Sequence, residues 1–175
     1  MEALCFCRHW QRLLASLVLV MAVQLGAPKP AGAAKIGEMA PNFTLKADSG
    51  KNLRLSEYRG EVVMINFWAT WCGPCRQEMP VLNELYQRYQ PVGFTLLGVN
   101  IDDQSASASK MARRLGVRYP IVFDAEKTVS RLYDINAMPT TVMVDRDGRV
   151  RYLHRGYLPG FEKKYQDQIR GLLKE

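Results

Sequence analysis

Residues 66–75, NFWATWCGPC, decide the fold, and they hold two cysteines separated by a glycine and a proline. The apolar, β-branched run Val62–Trp68 leads into this stretch and predicts a buried strand. A helix is predicted to follow, beginning at Cys75 or just before it, ending at about Tyr89 and kinked at Pro80. The sequence therefore places a dithiol where a buried strand passes into a helix.

This junction suits disulfide exchange. The attacking species is a thiolate, so an exchange enzyme has to stabilise negative sulfur near neutral pH. Cys72, just ahead of the helix, would face its unpaired N–H groups and the positive end of its dipole. Gly73 and Pro74 form the turn that enters the helix, and Cys75 lies one turn away, where it can close a disulfide. The flat apolar ring of Trp71 would flank an incoming polypeptide.

The first 33 residues form a separate unit. A positively charged beginning is followed by the apolar run Leu13–Val23 and then by a small-x-small pattern that ends at Ala33. This order is typical of a secretory signal peptide, so we expect cleavage after Ala33 and a mature domain of residues 34–175. An uncleaved N-terminal anchor is the alternative, although the apolar run is short for a membrane span.

Two other interpretations of the cysteine pair are weaker. Zinc takes four ligands, and residues 34–175 offer only Cys72, Cys75 and the distant His154 as cysteine or histidine ligands. A purely structural disulfide would stabilise little, because the entropic gain grows with the length of the closed loop. A redox role is favoured.

Composition excludes some broad classes of protein. A hydrophobic content of 47% in 175 residues supports a real core and argues against disorder. The formal net charge of +7 is spread along the chain. Because nucleic-acid binding needs a contiguous basic face, we expect no nucleic-acid partner.

The remaining patterns predict an α/β fold with a mixed sheet flanked by helices. Two short strands, 43–45 and 53–55, form an extra N-terminal β-hairpin, and Ser56 is predicted to cap a short helical turn that ends at Gly60. Further strands are expected at 94–99, 121–123, 140–144 and 149–154, and further helices at 105–115, 126–133 and 161–173.

Several motifs resemble a known family. Residues 67–75, Pro80 and 138–141 (MPTT) are similar to the thioredoxin superfamily. A narrower resemblance, to the exported TlpA/ResA-like (CcmG-like) thiol-disulfide oxidoreductases, is carried by APNFTL at 40–45, LSEYRGEVV at 55–63 and RQEMP at 76–80. This resemblance implies a thioredoxin fold.

The resemblance also implies roles for individual residues. Cys72 matches the nucleophile and Cys75 the resolving, more buried thiol. Pro139 matches a cis-proline that faces the dithiol, and the backbone of Met138 would pair with the substrate chain. The redox-active disulfide would serve in place of a cofactor, with no metal.

One position departs from cytoplasmic thioredoxin. Asn66 stands where thioredoxin carries a buried aspartate that moves protons, and asparagine cannot titrate. Glu78 matches an active-site glutamate of the ResA-like branch, where a partly buried carboxylate could tune thiol pKa values and transfer a proton. The alternative is a surface glutamate paired with Arg76 or Arg88.

The resemblance implies a monomeric protein-disulfide reductase in the periplasm or on the outer face of the bacterial inner membrane. Its substrates would be haem-attachment cysteines of apocytochromes c or copper-site cysteines of oxidase assembly proteins. A membrane electron donor related to DsbD or CcdA would recharge it. Three alternatives stay open: a Cu(I) metallochaperone, a thiol peroxidase and a dithiol oxidase.

Overall fold

The strand that precedes the two cysteines runs through the middle of a seven-stranded sheet. The structure is a computed structural model that describes residues 33–175. The predicted leader therefore lies outside the described residues, except for Ala33, and so do Cys5 and Cys7. Within residues 33–175, no helix is both long enough and apolar enough to cross a membrane.

Strands and helices alternate along the described chain. The strands are β1 (Thr44–Ala47), β2 (Asn52–Arg54), β3 (Val62–Trp68), β4 (Phe94–Asn100), β5 (Ile121–Phe123), β6 (Thr140–Val144) and β7 (Val150–Arg155). The α-helices are α1 (Gly73–Tyr89), α2 (Ser105–Arg114), α3 (Thr128–Leu132) and α4 (Phe161–Leu173), and Leu55–Tyr58 and Gln90–Val92 are single 3₁₀ turns.

The sheet is mixed, in the order β2-β1-β5-β4-β3-β6-β7. Strands β3, β4 and β5 run parallel, whereas β6 and β7 on one side and β1 and β2 on the other pair antiparallel. The predicted α/β class, the mixed sheet and the extra N-terminal hairpin are confirmed.

Burial explains why β3 and β4 lie at the centre. All seven residues of each strand are buried, as a strand covered on both faces requires. The even-numbered apolar residues of β3 belong to one buried cluster with α1 and α4, and the odd-numbered ones to a second cluster with α3. Asn66 is an even-numbered position of β3, so this alternation directs it toward α1 and α4.

The starts of two helical elements differ from the prediction. Ser56 caps no helical turn, since the turn begins after Arg54 without a side-chain cap and the Ser56 N–H donates to Asn42 Oδ1 at 3.0 Å. Helix α3 begins at Thr128 instead of residue 126, because Lys127 adopts a left-handed φ of 57°.

Gly98 in β4 marks a close approach between strand and side chains. A Cβ atom at this position would lie 2.8 Å from Ile121 Cδ1 and 2.9 Å from Tyr119 Cε2. Both side chains are buried and have little room to move. The backbone of β4 is therefore packed directly against its neighbours.

We expect Gly98→Ala to lower the free energy of unfolding by about 1–3 kcal/mol, because the added methyl group overpacks the core. Urea unfolding followed by circular dichroism measures the loss. The control is Gly171→Ala in α4, where a Cβ would meet nothing within 4 Å. That change should stabilise by about 0.5–1 kcal/mol, since alanine favours the helix over glycine. Equal stability of Gly98→Ala and wild type would contradict the packing described.

Candidate active site

The two cysteines lie at the start of α1 and are joined by a disulfide, with Cα atoms 5.3 Å apart. Cys72 is the residue that caps the helix, and its Sγ accepts the N–H of Cys75 at 3.2 Å. Gly73 and Pro74 form the first turn, which contains no acidic side chain. Cys72 is 5% exposed and Cys75 is fully buried, so the sulfur that receives the helix N–H is also the more accessible one.

Trp71 and Met138 lie in the wall of one cleft beside this turn. Trp71 is the most exposed large apolar side chain of the described residues, at 67%. The cleft has a volume of about 590 Å³ and is lined by Trp71, Ile101, Lys127, Ser130, Arg131, Ile135, Asn136, Ala137 and Met138. Trp71 and Met138, of which Met138 was predicted to contact substrate through its backbone, thus line one cleft although they are distant in sequence.

Pro139 follows Met138 and enters β6. The Met138–Pro139 peptide bond is cis, and the Pro139 ring is buried. The carbonyl of Pro139 accepts the N–H of Gly156 at 2.7 Å, so β7 and the loop after it hold this segment against the sheet. The backbone around the proline is thereby fixed next to the cleft that Met138 lines.

Glu78 is fully buried, which excludes the alternative of a surface glutamate paired with Arg76 or Arg88. Its Oε1 accepts the hydroxyl of Tyr165 at 2.7 Å and lies 3.5 Å from the hydroxyl of Thr141. Its Oε2 accepts Asn66 Nδ2 at 2.9 Å. Side chains from β3, β6 and α4 therefore meet on a carboxylate that α1 supplies.

Burial raises the pKa of Glu78 from 4.5 to about 7. The hydrogen bonds from Tyr165, Asn66 and Thr141 act in the opposite direction, because they favour the ionised form. Burial, with the Glu78 charge adding to it, also raises the pKa of Tyr165, so this hydroxyl remains a donor at neutral pH. Glu78 can therefore either hold or release a proton close to neutral pH.

Tyr165 is a site residue that the sequence analysis missed. It lies 87 residues after Glu78, in the last helix. Its place beside Ile169 and Leu172 on the buried side of α4 would have indicated only a core position. Thr141, by contrast, belongs to the MPTT motif, although its contact with Asn66 Nδ2 at 2.9 Å was not predicted.

His154 makes no hydrogen bond to Glu78 or to the two cysteines in the described structure. It is packed between aromatic rings, 5.4 Å from that of Tyr165 and 6.1 Å from that of Phe161, and its Nε2 lies 2.9 Å from Gln168 Oε1. Burial lowers its pKa. In the part of the chain that the structure describes, no three His, Cys, Asp or Glu side chains are grouped so that they could hold a metal ion.

Comparison with known proteins gives consistent matches. The AhpC/TSA family matches residues 36–153. The thiol-disulfide oxidoreductase ResA of Geobacillus thermodenitrificans is 41% identical over 124 residues, 71% of each chain. ResA of Halalkalibacterium halodurans is 32% identical over 173 residues, 95% of this chain and 96% of that one.

Solved structures have the same fold. One from Chlorobium tepidum, described as a thiol:disulfide interchange protein DsbE, superimposes with a TM-score of 0.77 at 35% identity. The match covers 81% of this chain and 99% of that one. The predicted thioredoxin fold and the predicted resemblance to ResA-like and CcmG-like oxidoreductases are confirmed.

The raised pKa of Glu78 should make stability depend on pH. Between pH 4.5 and about 7 the folded protein holds a proton that the unfolded chain has released. The contribution of Glu78 is therefore complete below pH 4.5 and is lost as the pH rises to about 7. The loss is at most about 3 kcal/mol. In Glu78→Gln this fall should be absent, as measured by urea unfolding of the oxidised protein across that range.

The matched control is Glu84→Gln, at an exposed position of the same helix. It should keep the wild-type dependence on pH. If wild type and Glu78→Gln instead differed by the same free energy of unfolding at every pH, Glu78 would not titrate in the folded protein near neutral pH.

Tyr165→Phe should raise the pKa of Glu78 above its wild-type value, since it removes a hydrogen bond that favours the ionised carboxylate. Titration of the Glu78 carboxyl carbon by NMR measures this pKa directly. Tyr157→Phe is the control, because Tyr157 donates no hydrogen bond to Glu78 in the described structure. An unchanged or lowered pKa in Tyr165→Phe would contradict the assignment.

Proposed function

The chain belongs to the AhpC/TSA family and is a thiol-disulfide oxidoreductase, and from this premise we propose that it works as a reductase of protein disulfides. The observation that carries the proposal is the hydrogen bond from the Cys75 N–H to Cys72 Sγ at 3.2 Å. It places the outer sulfur on the positive end of a 17-residue helix. A thiolate at Cys72 would be stabilised there, and a thiolate is the species that attacks a substrate disulfide.

In the proposed reaction, the Cys72 thiolate attacks one sulfur of a substrate disulfide. That bond breaks, a mixed disulfide forms, and the first substrate thiolate leaves. Cys75 gives its proton to Glu78 and attacks Cys72 Sγ, which releases the second substrate thiolate. Two electrons pass from the dithiol to the substrate, and the enzyme is left with the Cys72–Cys75 disulfide.

Glu78 is suited to this proton transfer, because its pKa of about 7 lets it act near neutral pH. Asn66 cannot take the role, since an amide does not titrate. The substrate chain would lie in the cleft between Trp71 and Met138. There the backbone beside Pro139 would pair with it as an added strand.

The leader predicted at residues 1–33 supports an exported setting for the reaction. An exported reductant works in an oxidising compartment, so a donor must resupply its electrons. We propose the periplasm or the outer face of the inner membrane, a donor of the DsbD or CcdA type, and a monomeric protein. Haem-attachment cysteines of apocytochromes c, or copper-site cysteines of oxidase assembly proteins, are the proposed substrates.

Trapping with a defined substrate tests the proposal. A disulfide-bonded C-x-x-C-H peptide represents the haem-attachment site. The reduced wild type should convert it to the dithiol, one peptide for each enzyme dithiol. Cys75→Ser should accumulate a mixed disulfide that dithiothreitol reverses, because the enzyme thiol that resolves it is absent. Cys72→Ser is the matched control and should form none. Mass spectrometry of the intact adducts measures all three.

Two outcomes would overturn the proposal. If the reduced protein left the peptide disulfide intact while its oxidised form oxidised the reduced peptide, the protein would be a dithiol oxidase. Peroxide consumption that depends on Cys72, without peptide reduction, would indicate a thiol peroxidase.

A further inference from the structure

The turn that carries Trp71 and Cys72 is held by side chains from outside it. Within the turn, the Cys72 N–H donates to the Ala69 carbonyl at 3.2 Å. Both backbone groups of Thr70 are bound by side chains: its N–H donates to the two carboxylate oxygens of Asp102, at 3.0 and 3.2 Å, and its carbonyl accepts Arg76 Nη1 at 2.8 Å. Thr70 is thus fixed from two directions.

Asp102 is itself held in one orientation. It lies just after β4 and is hydrogen-bonded twice to Asn100, the fully buried last residue of that strand. Asn100 Nδ2 donates to Asp102 Oδ2 at 3.0 Å, while Asn100 Oδ1 accepts the Asp102 N–H at 3.1 Å. The carboxylate therefore presents both oxygens to Thr70 from a rigid strand end.

The neighbouring carboxylate makes no such contact. The side chain of Asp103 is 90% exposed and pairs with Lys127 at 2.5 Å. Both aspartates lie in the wall of a second cleft, of about 400 Å³, together with Thr70 and Trp71, but only Asp102 accepts the Thr70 N–H. The two adjacent aspartates thus differ in exposure and in hydrogen-bond partner, and Asp103 serves as a control for a change of charge in this segment.

We propose that Asp102 is a positioning residue for disulfide exchange. By accepting the Thr70 N–H it holds the turn so that Trp71 and Cys72 keep their places at the start of α1. The proposal rests on Cys72 as the attacking thiol. The charge of Asp102 does not itself favour the reaction, because a carboxylate close to the dithiol would disfavour the Cys72 thiolate. We therefore assign the role of Asp102 to its hydrogen bonds with the Thr70 N–H.

Three variants separate the anchor from the charge. Asp102→Asn removes the charge and keeps an oxygen acceptor, Asp102→Ala removes both, and Asp103→Ala removes the neighbouring charge together with its pair to Lys127. Each is compared with wild type by amide hydrogen exchange at Thr70, by the rate of Cys72 alkylation with iodoacetamide across pH, and by kcat and KM for peptide-disulfide reduction. Urea midpoints identify any global loss of stability.

In Asp102→Ala we expect Thr70 amide exchange to be about tenfold faster and kcat/KM about tenfold lower, mostly through kcat, as for the loss of one charge-assisted hydrogen bond. Asp102→Asn should stay within about threefold of wild type in both, and Asp103→Ala should match it. In both Asp102 variants, removal of the charge should lower the pH midpoint of Cys72 alkylation.

Two results would overturn the proposal. Wild-type exchange at Thr70 in Asp102→Ala would show that the turn is held without this carboxylate. Equal losses of kcat/KM in Asp102→Asn and Asp102→Ala would show that Asp102 acts through its charge. The amide and alkylation measurements need no disulfide substrate, so they test the anchor even if the protein proves to be an oxidase.

Discussion

The parallel pairing of β3 with β4 is the constraint on which the rest of the structure depends. The two strands are in register from Val62 opposite Phe94 to Trp68 opposite Asn100, and every residue of both is buried. Because they are parallel, they end at the same edge of the sheet. The turn that carries Cys72 follows β3, and Asp102, which binds the backbone of that turn, follows β4. The inward alternation along β3 also directs Asn66 toward the carboxylate of α1.

A second feature of the fold is the ionisable group that it keeps in its core. Burying a carboxylate costs several kcal/mol unless donors surround it. Here Tyr165, Asn66 and Thr141 offset part of that cost, and the pKa of Glu78 settles near 7. Fully apolar surroundings would raise it further, and a fully satisfied carboxylate would return it toward 4.5. The incomplete compensation makes the group useful for moving protons.

The local part of this structure could be predicted from the sequence, and the part that depends on distant contacts could not. The buried strand and the dithiol at a helix start follow from apolar runs and from glycine and proline placement, while the proline segment follows from family resemblance. The start of α3 depends on the left-handed conformation of Lys127, which the sequence pattern does not show. The burial of Glu78 could not be established either, since periodicity does not show that a polar residue lies inside. Tyr165 reaches it from 87 positions away.

The surroundings of Glu78 make its two oxygens unequal. Oε2 faces the amide of Asn66, whose Nδ2 also donates to Thr141 and whose Oδ1 accepts no hydrogen bond from the residues that the structure describes. If the Asn66 amide were flipped, a buried N–H donor would lack a hydrogen-bond partner instead of a buried oxygen. Proteins tolerate an unpaired buried donor less well than an unpaired buried acceptor. Oε1 faces the hydroxyls of Tyr165 and Thr141, which can rotate from donating to accepting. It follows that a neutral Glu78 carries its hydrogen on Oε1, where the hydroxyl of Tyr165 or Thr141 can accept it.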